Sequence, residues 1–280
     1  MTATARLQAR GLTAGYDGRS VLTDLDVAIP DGRFTALVGP NASGKSTLLR
    51  ALARMLVPTS GEVLLDGRPI QEYGSKEVAR ILGLLPQTPV APSGLGVADL
   101  VGRGRFPHQT WLRQWTREDE RAVDAAMDRA GVADLRDRSI DELSGGQRQR
   151  VWIAMALAQQ TSMLLLDEPT TYLDLSHQLE VLDLCRSLQR DGSTVVAVLH
   201  DLNLAFRYAD HLVVLSTGRI VAQGAPGDVV TAELVEEVFD VPCRLLPDPE
   251  TGTPMIIPRS SGRGPRAPRP PAAPVPDRAP

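Results

Sequence analysis

Cysteine is nearly absent from the 280 residues. Cys185 and Cys243 are the only two, too few for a disulfide framework, and neither has a neighbour at metal-ligand spacing. Both read as reduced packing residues. Long apolar runs are missing as well. No stretch approaches the roughly 20 uninterrupted apolar residues that cross a bilayer, and the opening Met1-Thr2-Ala3-Thr4-Ala5-Arg6 lacks the apolar core of a signal peptide. A cytoplasmic location is the expectation. Basic charge is scarce outside the C-terminal end. The formal net charge is −4, but residues 259–280 hold five arginines against one aspartate, so the chain ahead of them carries −8. Nucleic acid is thereby excluded as the main ligand, since phosphate-backbone affinity needs an excess of Lys and Arg.

Those final 22 residues also contain seven of the 22 prolines and hardly any large apolar side chain. They cannot bury enough surface to offset ordering entropy, and a disordered, solvated tail over 259–280 is expected. The remainder, in a chain 42% hydrophobic and 23% charged, suffices for one large core or two unequal ones.

The first third reads as strands, Leu7–Ala9, Val21–Ile29, Phe34–Val38 and Glu62–Leu65, with turns at Asp31-Gly32 and Asp66-Gly67. Strand signals then vanish from about Gln87 to Gln160. Apolar residues at three- and four-residue spacing over Glu118–Ala130 and Ser144–Ala158 predict helices there, and a helical insertion over roughly 88–160. Two alternations of buried strand and helix follow, Met163–Leu166 with Ser176–Gln189 and Thr194–Leu199 with Leu202–Tyr208, as in a parallel sheet flanked by helices. A hairpin over His211–Ser216 and Ile220–Gln223 and a helix capped by Thr231 and running to Phe239 complete the pattern.

Chemistry concentrates at three places. Gly39-Pro40-Asn41-Ala42-Ser43-Gly44-Lys45-Ser46 matches the P-loop pattern, between the strand Phe34–Val38 and a helical run from Thr47 to Met55. Glycines let the backbone wrap closely, the N–H groups through Thr47 face phosphates, and Lys45 neutralises β and γ oxygens. Ser46 is the expected Mg²⁺ ligand. Hydrolysis of Mg-ATP also needs a carboxylate on the metal and a group that orients water. Asp167-Glu168, at the end of the buried strand Met163–Leu166, supplies both: Asp167 for the metal, Glu168 for the water. Alone, such a pair is more often a helix cap; the P-loop upstream changes that reading. The third place is Leu143-Ser144-Gly145-Gly146-Gln147, opening the helix to Ala158 and forming a second anion site at a helix N-terminus.

This last pentapeptide is the signature of the ATP-binding cassette family, which the chain resembles to about Pro258. The resemblance implies an α/β fold: an antiparallel β subdomain, a RecA-like parallel core and an inserted helical subdomain, with 1–258 as one ATPase domain. It implies two copies paired head to tail, each ATP held between one P-loop and the partner's signature. Tyr16 is similar to the aromatic that stacks on adenine, Gln87 to the glutamine that contacts metal or water, and Asp174 to the segment touching the partner's active site. His200, 32 residues past Glu168, is similar to the histidine that bonds the γ-phosphate. His108, His177 and His211 have no such role. Two departures stand out. Ala42 replaces a common glycine, which requires that position to avoid a strongly positive φ, and Tyr172 replaces a common small residue.

Gly102–Gln109, the run from Leu143 to Met155, Thr170–Gln178 and Leu199–Ala205 are similar to the ATPases of bacterial iron(III)-siderophore importers. Haem and cobalamin importers share much of this pattern and stay open. That resemblance implies a peripheral position on the cytoplasmic face of the membrane, a separate permease and, indirectly, a substrate-binding protein. The Arg103–His108 segment is expected to select the permease; the alternative is an ordinary basic loop on a solvated face. A soluble cassette ATPase acting in translation or chromosome maintenance is the rival, against which stand the single P-loop, the single signature and the absence of sustained heptads. A P-loop kinase fails on the signature.

Overall fold

A computed structural model describes residues 5–110 and 115–259. The proposed tail therefore lies outside the described residues except for Arg259. In chain order the elements begin β1 (Ala5–Tyr16), β2 (Arg19–Pro30), β3 (Phe34–Val38), α1 (Lys45–Leu52), β4 (Ser60–Leu65), β5 (Arg68–Pro69), α2 (Ser75–Ile81) and β6 (Leu82–Leu85). Helices α3 (Val97–Gly102), α4 (Arg117–Arg129) and α5 (Gly145–Ala158) follow, then β7 (Met163–Leu166), α6 (Leu175–Arg190), β8 (Thr194–Val198) and α7 (Leu202–Tyr208). The remainder is β9 (His211–Ser216), β10 (Arg219–Gly224), α8 (Pro226–Val229), α9 (Ala232–Phe239), β11 (Cys243–Pro247) and β12 (Pro254–Pro258).

Two principal sheets result. The antiparallel one has order β2-β1-β4-β5; the other runs β10-β9-β3-β8-β7-β6, with its five strands from β9 to β6 parallel and β10 antiparallel at the edge. Parallel strands covered on both faces must be apolar throughout, and β3, β7 and β8 are buried at every position. Two hydrophobic clusters divide the interior. One fills the space between α1, the antiparallel sheet and one face of the parallel sheet; the other joins the opposite face to α3 through α7 and to α9. This is the expected fold class.

The predicted strands at Leu7–Ala9 and Val21–Ile29 fall within two 12-residue strands, the first near the start of β1 and the second over most of β2. The helix after the P-loop begins at Lys45 and stops at Leu52, short of the expected Met55, because Arg54 turns left-handed at φ +61°. Elements unread in the sequence are β5, α2, β6, α3, α8 and the hairpin β11–β12. β6 continues directly from α2 through Ile81-Leu82-Gly83-Leu84-Leu85, an apolar run in which periodicity cannot separate strand from helix. Both cysteines are free and buried, and burial pushes the Cys185 thiol up to about 12. Among the described residues no helix is long and apolar enough to cross a membrane.

The Arg103–His108 segment is not a solvated basic loop. Arg105 is fully buried: its Nε meets Asp119 Oδ1 at 2.9 Å and its Nη1 reaches the Ala158 carbonyl at 2.8 Å and Gln160 Oε1 at 2.7 Å. Asp119 in turn completes the capping box with Thr116 at the start of α4. Burial works to raise the Asp119 carboxyl, and hydrogen bonds from Thr116 and Arg105 outweigh it and hold it low. Arg103 and Phe106 are the exposed members of the segment.

Candidate nucleotide site

β3 delivers the chain to the glycine-rich loop at the C-terminal edge of the parallel sheet, where α/β proteins bind ligands. Gly39 has φ +154°, and a Cβ there would lie 2.2 Å from the Leu215 carbonyl; Gly44 has φ +104°, with Leu22 Cδ2 2.6 Å from its Cβ position. No other residue type fits either place. Ala42 corrects the sequence expectation: its φ is +61°. The turn needs a left-handed residue there, and alanine adopts it with its methyl facing solvent at about 1–2 kcal/mol of strain. Tyr172 is likewise left-handed at φ +64°, as is Glu168 at +55°.

Lys45 is buried and its Nζ donates to the carbonyls of Gly39 at 2.9 Å and Pro40 at 2.8 Å. Burial lowers its pKa, with Glu168 and Asp167 opposing. Ser46 donates to Asp167 Oδ1 at 2.7 Å, while Asp167 Oδ2 is buried without a partner, and burial raises this carboxyl. Glu168 is held from three sides. His200 Nε2 lies 2.8 Å from Oε1, and Gln87 Nε2 and Thr171 Oγ1 donate to Oε2 at 2.7 and 3.0 Å. Burial works to raise Glu168, but the bonds from His200, Thr171 and Gln87 outweigh it and keep the group low, so it is ionised and able to take a proton.

A cleft of 320 Å³ is lined by Val21, Asn41 to Thr47, Glu168 and His200. Gln87 reaches the cleft through its bond to Glu168, whereas Tyr16 lies outside the lining, its oxygen 3.3 Å from Nη1 of Arg50 on α1. Ser144, Gly145, Gly146, Gln147 and Asp174 do not border this cleft. They form two further helix starts. Ser144 and Gln147 make a capping box on α5, with the Gln147 N–H to Ser144 Oγ at 3.2 Å and the Ser144 N–H to Gln147 Oε1 at 3.1 Å. Asp174 caps α6. The sequence reading missed Thr171, three residues past Glu168, although a hydroxyl at that distance around a tight turn is the signal for a bond back to the carboxylate.

An ABC transporter family model matches residues 22–171. The chain is 55% identical to the ferric enterobactin transport ATP-binding protein of Escherichia coli (strain K12), over 91% of this chain and 94% of that one. It is 45% identical to the hemin import ATP-binding protein of Streptomyces coelicolor (strain ATCC BAA-471 / A3(2) / M145), over 90% of each. Among solved structures, it aligns at TM-score 0.78 and 28% identity with a transporter assigned to the metal-chelate type in an inward-facing conformation, covering 91% of this chain and 97% of that one. A dimeric bacterial ABC transporter cassette aligns at TM-score 0.70 and 27% identity, covering 78% and 98%. With the P-loop, the acidic strand end and the Ser-Gly-Gly helix start in one chain, this protein belongs to the ABC transporter family, as an ATP-binding subunit.

Proposed function

We propose that the chain hydrolyses ATP to drive uptake of iron(III)-siderophore through a separate membrane permease, acting as a head-to-tail pair of copies. The observation that carries the hydrolytic part is the Glu168 carboxylate at the mouth of the P-loop, kept ionised and aimed by His200, Gln87 and Thr171. Residues 1–258 form the ATPase domain in this reading, with 88–160 its helical insertion and 259–280 a tail outside it.

The residues fit Mg²⁺. Asp167 Oδ2 is a buried carboxylate oxygen without a partner, beside the Ser46 hydroxyl. Among the described residues no three acidic, His or Cys side chains converge as a cage, and a cation held by one carboxylate, one hydroxyl and substrate phosphates is the arrangement Mg²⁺ favours. Ser46, Asp167 and Gln87 would hold it, and when bound it would draw charge from the phosphate oxygens. Lys45 exchanges its bonds to the Gly39 and Pro40 carbonyls for phosphate oxygens. Glu168 orients water and takes its proton, and His200 fixes Glu168 and meets the γ-phosphate. Tyr16 stacks on adenine.

The pairing of copies is supported by what Ser144–Gln147 and Asp174 lack. Gly145 has no left-handed torsion and open space around its Cβ position, so nothing among the described residues calls for a glycine; close approach of an external phosphate would. Tyr172 is 99% exposed and Leu175 64%, apolar side chains that a second copy would cover. In this reading the permease docks on the face carrying Phe106, 65% exposed, and Trp115, 50% exposed, beside a cleft of 770 Å³, and the chain lies at the cytoplasmic face of the membrane. Siderophore is favoured over haem by the higher identity to the enterobactin relative. The test is uptake of labelled ferric siderophore in cells lacking the protein. Wild type should restore it and Lys45→Ala should not; normal uptake without the protein, with haem uptake lost, would reassign the cargo.

A further inference from the structure

The two outward helix starts, Ser144 on α5 and Asp174 on α6, are joined by one side chain. Asp174 Oδ1 accepts three hydrogen bonds: from the His177 N–H at 3.0 Å, from the Ser176 hydroxyl at 2.9 Å and from His177 Nδ1 at 2.6 Å. An ionised carboxylate only accepts, so Nδ1 carries the proton. The far edge of the ring lies on the first turn of α5. A Cβ on Gly146 would stand 2.7 Å from His177 Cδ2 and 3.1 Å from Nε2. Gly146 has no left-handed torsion, so its backbone does not call for glycine; the ring does. On the next turn Arg150 of α5 meets Glu180 of α6 at 2.5 Å. α5 packs with α3 and α4 and on the edge strand β6, whereas α6 packs on the central strands β3 and β8, so this junction ties the helical layer to the helix that covers the middle of the parallel sheet.

We propose that His177 is a positioning residue that locks the Asp174 turn to the signature turn at Ser144–Gly146, so that both reach the partner copy's nucleotide as one rigid surface. The inference rests on the head-to-tail reading above. Two loops already fixed to each other lose less freedom on association than two that move independently, so the tie lowers the cost of pairing without touching nucleotide in its own subunit.

The experiment uses the full chain carrying Glu168→Gln, which keeps ATP without turning it over. ATP-driven pairing is followed by sedimentation, and nucleotide affinity by a fluorescent ATP analogue at protein concentrations where copies stay apart. His177→Ala should raise the dimer Kd about tenfold, leave nucleotide affinity unchanged and lower the thermal midpoint only slightly. His177→Asn, which returns a donor near the Nδ1 position, should recover most of the pairing. With Glu168 intact, His177→Ala should lower kcat and leave KM for ATP unchanged. Pairing by His177→Ala equal to that of its parent overturns the proposal, as does a joint fall in thermal midpoint and nucleotide affinity, which would make His177 merely structural. If the parent itself fails to pair with ATP, the head-to-tail reading falls and the tie falls with it.

Discussion

The two glycine-rich helix starts of this chain are built on opposite principles. In the P-loop the two glycines and the lysine have internal causes: Gly39 is pressed against the Leu215 carbonyl, Gly44 against Leu22, and Lys45 is bonded to the loop's own carbonyls. At the signature only Gly146 has such a cause, the His177 ring, while Gly145 faces open space. The first start is finished inside the chain and the second is half of something. A site closed on its own chain is tested by what its disruption does to the monomer; an open one is tested by changes that leave the monomer intact and remove function.

The largest effect should come at the closed end. Glu168→Gln keeps the side-chain shape and nucleotide binding but removes the proton acceptor, so turnover measured by phosphate release should fall by about 10²–10⁴-fold. Turnover near the wild-type rate would remove Glu168 from the mechanism. Next in size is the contrast within Arg103–His108. Arg105→Ala leaves Asp119 buried and unpaired, and denaturant unfolding should show a loss of about 3–5 kcal/mol. Phe106→Ala, at the exposed neighbour, should unfold like wild type yet recover less chain with detergent-solubilised membranes. Equal stability of both variants would erase the distinction between closed and open side chains there.

A direct comparison of the helix starts follows from two substitutions to alanine. Gly39→Ala forces a residue at φ +154° against a carbonyl, with about 1–3 kcal/mol of strain from torsion alone, and should weaken both folding and ATP binding. Gly145→Ala meets nothing. Its stability should stay within about 0.5 kcal/mol of wild type, while turnover falls roughly tenfold or more because the methyl displaces the partner's phosphate from its close approach. Wild-type turnover by Gly145→Ala would leave the open half without a ligand.

The same contrast explains what was legible in the sequence. The parallel core, the P-loop, the Asp167-Glu168 strand end and the Ser144 helix start follow from local pattern, because apolar runs and glycine spacing encode them within a few residues. Features decided by distant contacts were not legible. Arg105 reads as one basic residue among several until the fold brings Asp119, Ala158 and Gln160 around it. His177 reads as an ordinary helical histidine until α5 places Gly146 beneath its ring. Ala42 contradicted a rule based on side chains alone, because the loop's hydrogen-bonding shape outweighs a modest backbone strain. The hairpin β11–β12, with Pro247, Pro254 and Pro258 at its strand ends, has no strand signal in its local pattern, yet Arg207–Asp248 and Asn203–Ile256 bonds tie it to α7.

The smallest effect expected is a pH dependence at the open half. The Asp174 carboxyl is pulled down to about 2, chiefly by the His177 N–H, then by the His177 ring and Ser176. A carboxyl whose folded pKa lies below its unfolded value of about 3.9 contributes stability that is complete above that value and is lost as pH falls toward the folded one. The α6 cap should therefore contribute equally from pH 8 to pH 5. Asp174→Asn keeps a capping oxygen but removes the charge, so its thermal midpoint should sit slightly below that of wild type across that range, and the gap should close between about pH 4 and pH 2. Absence of a gap at every pH would mean that the cap works through its oxygen alone. In that case the charge on Asp174 has no work inside its own chain, and its use would lie across the interface, in the partner's half of the site.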